Sequence, residues 1–151
     1  MARWTWLITG VMQQTMPRIY NTHVKISLLN HTRSKMRNTT SYTKGLIAEF
    51  IARMYLRIHG CRIRKSRYIT GRNTNRAEID IIAQHKRTLI FVEVKKRKNL
   101  QCAWDAITPQ QISRLRRAAE TYISRIRWTG DARFDVIIVC GWRIYWTKNA
   151  I

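Results

Sequence analysis

The sequence predicts an α/β domain in which helices flank a mixed central β-sheet, with the element order α-β-β-β-α-β-β. Three observations carry that prediction. Two short runs rich in β-branched and aromatic residues, Ala77 to Ile82 and Leu89 to Lys95, are separated by the polar gap Ala83-Gln84-His85-Lys86-Arg87-Thr88, the pattern of two strands joined as a hairpin. Apolar residues recur at helical spacing before the hairpin, from Thr43 to His59, and after it, from Thr108 onward. Two further strand-like runs, Phe134 to Cys140 and Trp142 to Trp146, close the chain. A length of 151 residues suits one domain with a modest core.

Residues 1–40 contain no acid and are expected to form a basic, disordered extension ahead of a folded unit at 41–151. The apolar start, Trp4 to Met12, is interrupted, too short to span a bilayer, and lacks a persuasive signal-peptide cleavage site. Such a segment also has the composition of an organellar transit sequence; the expectation is instead an extension or an upstream start codon, with Met16 or Met36 as the alternative start. The first helix should begin near Thr43, run to His59 and stop at Gly60. Ile47, Phe50, Ile51, Met54 and Ile58 are its expected core stripe. Glu49 falls off that stripe, beside Ala52 and Leu56 on a weaker apolar face, where it can look across at the sheet or pair with Arg53.

Cys61-Arg62-Ile63-Arg64 alternates as a first strand, and Ser66 to Arg76 reads as a basic loop with Arg67, Arg72 and Arg76 around Tyr68. That loop can clamp a phosphate backbone or simply be solvated. The same two readings apply to Lys96-Arg97-Lys98-Asn99 at the exit of the hairpin. Trp104 is expected to pack beneath the next loop rather than stack on a base. Thr108-Pro109 is a helix start, a hydroxyl cap followed by proline at the first position. Ile112, Leu115, Ala119, Tyr122, Ile123 and Ile126 form the buried stripe of that helix, with Arg114, Arg117 and Arg125 on the other side and Gln111 able to point at the hairpin. Thr129-Gly130-Asp131 breaks the chain before the last two strands. Asp135, alone among apolar neighbours, is expected to cap or to pair with Arg133 rather than to catalyse.

The chemistry is concentrated in the hairpin. Strand alternation places Glu78 and Asp80 together on the first strand, and Leu89, Phe91, Glu93 and Lys95 together on the second, with Ile90, Val92 and Val94 opposite. Such strands are largely buried, and a buried carboxylate is costly unless a cation or hydrogen-bond donors hold it, so Asp80 and Glu93 need a partner. Glu93 and Lys95 lie about 7 Å apart along an extended strand, close enough for their side chains to converge. With Asp80 they form an oxygen-rich corner suited to Mg²⁺. On the residues alone, a solvated Glu93–Lys95 ion pair is the competing reading.

Asp80 followed after a hairpin by Glu93-Val94-Lys95 resembles the PD-(D/E)XK nuclease superfamily, whose site is an aspartate on one strand and E-x-K on the next. More closely, Ala77-Glu78-Ile79-Asp80-Ile81-Ile82, Phe91-Val92-Glu93-Val94-Lys95 and Arg133-Phe134-Asp135-Val136 are similar to the YraN-type family of small bacterial proteins, over about Lys44 to Ile151. The resemblance implies a restriction-endonuclease-like core. It also implies a glutamate at the metal site from the first helix, as in many relatives in the superfamily, which here is Glu49. Two positions depart from the family pattern: Ala77 stands where glycine is usual, and Gln111 where lysine is usual, which would weaken phosphate contact.

The formal net charge is +21, from 29 Lys and Arg against 8 Asp and Glu, the electrostatic footprint of a nucleic-acid binder. Charge identifies a polyanionic partner and not the chemistry. Cys61, Cys102 and Cys140 are scattered and odd in number, and His23, His31, His59 and His85 are scattered as well. This argues against a zinc site or disulfide framework and fits a reducing cytoplasm.

The resulting expectation is a cytoplasmic, Mg²⁺- or Mn²⁺-dependent endonuclease-like hydrolase with no membrane partner. It would act on DNA in preference to RNA, and on structured or branched DNA in preference to a specific sequence. Asp80 and Glu93, with the Val94 carbonyl, would hold the ion, while Lys95 would orient the attacking water and stabilise developing negative charge. Arg67, Arg72, Arg76, Lys96, Arg97, Lys98, Gln111 and Arg114 would contact nucleic acid. Two alternatives stay open: a catalytically silent nucleic-acid-binding protein that keeps the corner for stability, and a basic RNA-binding protein that needs no metal.

Overall fold

The hydrophobic hairpin lies at the centre of a five-stranded sheet, in a computed structural model that describes residues 41–71, 77–98, 103 and 106–151. The extension at 1–40 and the roles expected of Arg72, Arg76, Asn99, Cys102 and Trp104 lie outside the described residues. The elements are α1 (Ser41–Ile58), β1 (Arg62–Ile69), β2 (Glu78–His85), β3 (Thr88–Lys96), α2 (Pro109–Arg125), β4 (Asp131–Cys140) and β5 (Arg143–Thr147). The strands stand in the order β1-β2-β3-β4-β5. All neighbours are antiparallel except β3 and β4, which run parallel and are joined through α2. This is the α-β-β-β-α-β-β order expected for a restriction-endonuclease-like core.

Period-2 alternation in β3 explains why the sheet is covered on both sides. Leu89 and Phe91 face the core beneath α2 with Leu115, Ala119 and Tyr122, whereas Ile90 and Val92 face the core beneath α1 with Ala52 and Leu56. No helix among the described residues is long and apolar enough to cross a membrane.

The packed face of α1 differs from the expected one. Ala48, Ala52, Tyr55 and Leu56 are buried, while Phe50, Met54 and Ile58 are 55%, 42% and 70% exposed. Two apolar stripes compete on this helix, and the one bearing alanines wins because it lets the helix lie close on a sheet already bulky with Ile81, Ile90, Val92 and Ile137. Two of the excluded side chains meet arginines: the Arg53 guanidinium lies 5.8 Å over the Phe50 ring, and Arg57 Nη1 donates to Met54 Sδ at 3.6 Å. The helix ends where the sequence indicated. Gly60 takes φ +77°, its N–H donates to Arg57 O at 3.0 Å and the Cys61 N–H donates to Leu56 O at 2.9 Å, a Schellman closure.

Other expectations are also corrected. β1 continues to Ile69 across a register shift between Ile63 and Lys65, so Arg67 and Tyr68 are strand residues and not parts of a loop. The Tyr68 ring meets Tyr122 edge-on at 5.1 Å, an attachment to α2 that local pattern does not encode. In α2 the core positions are Leu115, Ala118, Ala119, Tyr122 and Ile123, while Ile126 is the exposed C-cap. Trp142 is exposed in the turn that precedes β5.

Asp135 is fully buried and held as its isolation predicted. Its carboxylate accepts from Arg133 Nε at 2.9 Å, from Trp146 Nε1 at 2.8 Å and from the Asn149 N–H at 3.1 Å. Those bonds knit β4, β5 and the C-terminal turn together, which is a structural role.

Candidate active site

The corner forms where the β2–β3 ladder gives way. Paired residues run from His85↔Thr88 to Ile81↔Val92. At the next step Asp80 Oδ2 accepts the Val94 N–H at 2.7 Å, so a side chain takes the place of a backbone rung. The break also appears in the core: Ile79 and Ile82 lie beneath α2, whereas Ile81 and Ala83 lie beneath α1. Strict alternation would have put Ile79 and Ile81 on one side. Glu78 and Asp80 therefore do not act together as alternation predicted. Glu78 pairs with Arg67 of β1 at 2.9 Å, and Asp80 turns to β3.

Glu93 and Lys95 follow the regular alternation of β3 and project toward α2. Lys95 Nζ lies 2.9 Å from Glu93 Oε1. From α2, Gln111 Nε2 donates to the same Oε1 at 2.6 Å, and Gln111 Oε1 accepts from Lys95 Nζ at 3.3 Å. The start of α2 sets Gln111 in place: the Thr108 hydroxyl accepts the Gln111 N–H at 3.2 Å, and Pro109 is the first helical residue. Gln111 thus points at the hairpin as its place at the helix start allowed, and its side chain bridges two residues of β3.

Burial and like charge dominate the electrostatics. Burial first, and then the Glu93 carboxylate, push the Asp80 carboxyl up to about 7, against the opposing pull of the Val94 N–H and the Lys95 ammonium. Glu49 adds to that rise, so α1 brings its carboxylate within electrostatic reach of the corner. The Glu49 carboxyl is itself raised, chiefly by burial, with Glu78 and Glu93 adding and Arg67 and Arg53 opposing.

The donors in the corner suit a hard cation. Asp80 and Glu93 each engage one oxygen with protein donors, Oδ2 and Oε1 respectively, and two carboxylates held close enough to repel are relieved by a divalent ion. Among the described residues no three His, Cys, Asp or Glu side chains are grouped closely enough to form a complete metal cage. Two carboxylates with water completing the shell is the arrangement Mg²⁺ favours, whereas a structural zinc site would need four closed ligands.

The other candidate contacts are distributed unevenly. Arg67 is half-exposed, and its guanidinium is occupied by Glu78 and by the Tyr42 hydroxyl at 3.1 Å. Lys96, Arg97 and Lys98 continue from the end of β3, and Arg97 Nη1 donates to Lys96 O at 2.8 Å. Arg114 lines a cavity of about 380 Å³ with Ala77, Glu78, Thr108, Gln110, Gln111 and Leu115, directly beside the corner. Ala77 is buried, and its φ is not among the positive ones, so its Cβ is accommodated without glycine. Its N–H donates to Thr70 Oγ1 at 3.0 Å and its carbonyl accepts from the Thr70 N–H at 3.0 Å. Neither Thr70 nor Tyr42 carries a sequence signal for these roles, since each acts on a residue distant in the chain.

Fold and corner together define a small, strongly basic α/β protein with a restriction-endonuclease-like core, in which an Asp and a Glu-x-Lys triplet stand on adjacent strands. The chain belongs to the family described as Uncharacterised protein family UPF0102, whose model matches residues 48–139, and this is the YraN-type family that its motifs resemble. It is similar to a UPF0102 protein of Paramagnetospirillum magneticum, 34% identical over 103 residues that cover 67% of this chain and 80% of the relative. A UPF0102 protein of Shewanella denitrificans is 38% identical over 111 residues, covering 71% of this chain and 97% of the relative. One from Rhodopseudomonas palustris is 38% identical over 108 residues, covering 70% and 80%.

Proposed function

We propose that the protein is a cytoplasmic, divalent-metal-dependent nuclease that hydrolyses phosphodiester bonds in DNA, with structured or branched DNA preferred over any specific sequence. The observation that carries the proposal is the corner itself: Asp80 locked by the Val94 N–H, beside Glu93 with the Lys95 ammonium 2.9 Å away, in a chain of net charge +21. Asp80 and Glu93 would hold a Mg²⁺ or Mn²⁺ ion, which supplies Lewis-acid activation of the phosphodiester and a more acidic water. Lys95 places a positive charge where negative charge develops on the phosphate and can orient the attacking water. Glu49, within electrostatic reach, adds negative potential that favours a cation in the corner. Lys96, Arg97 and Lys98 follow Lys95 along the chain and Arg114 lines the cavity beside Gln111, cations that would position the DNA backbone without reading its sequence.

The test is incubation of the purified protein with duplex, single-stranded, flapped and four-way DNA, and with RNA, with and without Mg²⁺ or Mn²⁺. Wild type should cut DNA only with the metal. Asp80→Asn should lower turnover by orders of magnitude without weakening DNA binding, since it removes a negative charge facing a polyanion. Lys95→Ala should lose rate yet keep any metal-induced rise in melting temperature. Equal cleavage by wild type and both variants would place the activity elsewhere. Normal DNA binding with no cleavage of any form would replace the enzyme by a silent binder, and a preference for RNA without metal would favour the basic RNA-binding alternative.

A further inference from the structure

Gln111 occupies a position expected to face phosphate, yet its carboxamide is engaged inside the corner. Nε2 donates to Glu93 Oε1 at 2.6 Å, Oε1 accepts from Lys95 Nζ at 3.3 Å, and the Lys95–Glu93 contact of 2.9 Å closes a three-membered ring of side chains. The ring is shielded: the Lys95 and Glu93 side chains are only 13% and 7% exposed, so water competes weakly for these bonds. The backbone beneath Gln111 is pinned by the Thr108 cap and by Pro109.

A carboxamide donates and accepts at once and carries no charge. A lysine at this position could still donate to Glu93 but would set a second ammonium beside Lys95. A glutamate could still accept from Lys95 but would set another carboxylate against Glu93 and Asp80. Both bonds to Glu93 fall on Oε1, which leaves Oε2 outside the ring.

We propose, resting on the nuclease reading above, that Gln111 is a positioning residue that holds the Lys95 ammonium and the Glu93 carboxylate at a fixed separation and orientation. Its effect is then on the rate of the chemical step and not on DNA affinity, because it spends both polar atoms on protein partners.

Two measurements test this on the full chain, using Gln111→Met, close in shape but unable to make either bond, and Gln111→Glu, which keeps only the acceptor. In metal-free protein, Lys95 is acylated with a brief pulse of acetic anhydride and read by mass spectrometry, with Lys86 in the exposed β2–β3 turn as internal reference. On whichever DNA the wild type cuts, kcat and KM are measured separately. Gln111→Met should raise Lys95 labelling several-fold relative to Lys86, and should lower kcat by about 10- to 100-fold at unchanged KM. Gln111→Glu should keep Lys95 protected while losing kcat, and it carries the comparison if the methionine variant does not fold. Unchanged Lys95 labelling in Gln111→Met overturns the clamp, as does a raised KM at unchanged kcat, which would mark a phosphate contact. If wild type cuts no DNA, the nuclease reading fails, while the labelling still decides whether Gln111 holds Lys95.

Discussion

Replacing Asp80 by Asn removes a charge that the fold holds at a cost. Burial and the neighbouring Glu93 carry the Asp80 carboxyl from its ordinary 3.8 up to about 7. A carboxyl raised on folding binds its proton more tightly in the native state. Its contribution to stability is therefore complete below about pH 4 and is lost as pH rises through about 7. The difference is about three pH units at about 1.4 kcal/mol each, so above pH 8 the ionised Asp80 costs the metal-free protein on the order of 4 kcal/mol.

Asparagine is nearly the same size, and its amide oxygen can still accept the Val94 N–H that Asp80 Oδ2 takes at 2.7 Å. Urea unfolding in the presence of a chelator, followed by circular dichroism from about pH 4.5 to 8.5, should show the wild type losing stability with rising pH and Asp80→Asn losing less. The two should lie close together at the acid end and differ by a few kcal/mol at the alkaline end. Millimolar Mg²⁺ should then stabilise the wild type near pH 8 and leave the variant unmoved, since the ion relieves the same repulsion that the substitution removes. Parallel pH profiles for the two proteins would refute the reasoning, because they would mean that Asp80 titrates alike in the folded and unfolded states.

Leu56→Ala should cost about 2–5 kcal/mol, whereas Phe50→Ala, on the exposed side of α1, should stay within about 0.5 kcal/mol; thermal melts of the two variants check which face packs. Trp146→Phe deletes the indole N–H that Asp135 Oδ2 receives at 2.8 Å, and chemical denaturation should show a loss of about 1–3 kcal/mol because the buried carboxylate is left short of a donor. Binding to duplex DNA, measured by fluorescence anisotropy, should weaken by about a thousandfold or more between 50 and 200 mM salt if six or more phosphates are engaged, and base sequence should matter little.

Several elements are legible without coordinates because their causes are local. Period-2 alternation places Glu93 and Lys95 on one side of β3 and Ile90 and Val92 on the other, and no distant residue is needed to decide it. The caps are equally local: a threonine hydroxyl within bonding reach of the backbone three residues on starts α2, and a glycine free to take positive φ stops α1. The element order and the excess of positive charge likewise follow from the sequence alone.

Other features depend on how close one element comes to another. α1 carries two apolar stripes, and only its seating on the sheet chooses the one with Ala48 and Ala52, where small side chains permit close approach. β2 breaks its alternation between Ile79 and Ile81, at the point where the ladder ends and the Asp80 carboxylate takes the Val94 N–H of β3. Arg67 reads as a loop cation until β1 extends beside β2 and sets Glu78 next to it. Gln111 reads both as a phosphate contact and as a residue able to point at the hairpin, and α2 decides between them by bringing its amide to two residues at sequence separations of 16 and 18. The sequence by itself determined which strand carries each of Asp80, Glu93 and Lys95 and where the helices start and stop, because backbone periodicity and capping act within a few residues. Tertiary structure alone decided the partners that Asp80, Arg67 and Gln111 take, because these hydrogen bonds and ion pairs require contact across elements that pattern along the chain does not locate.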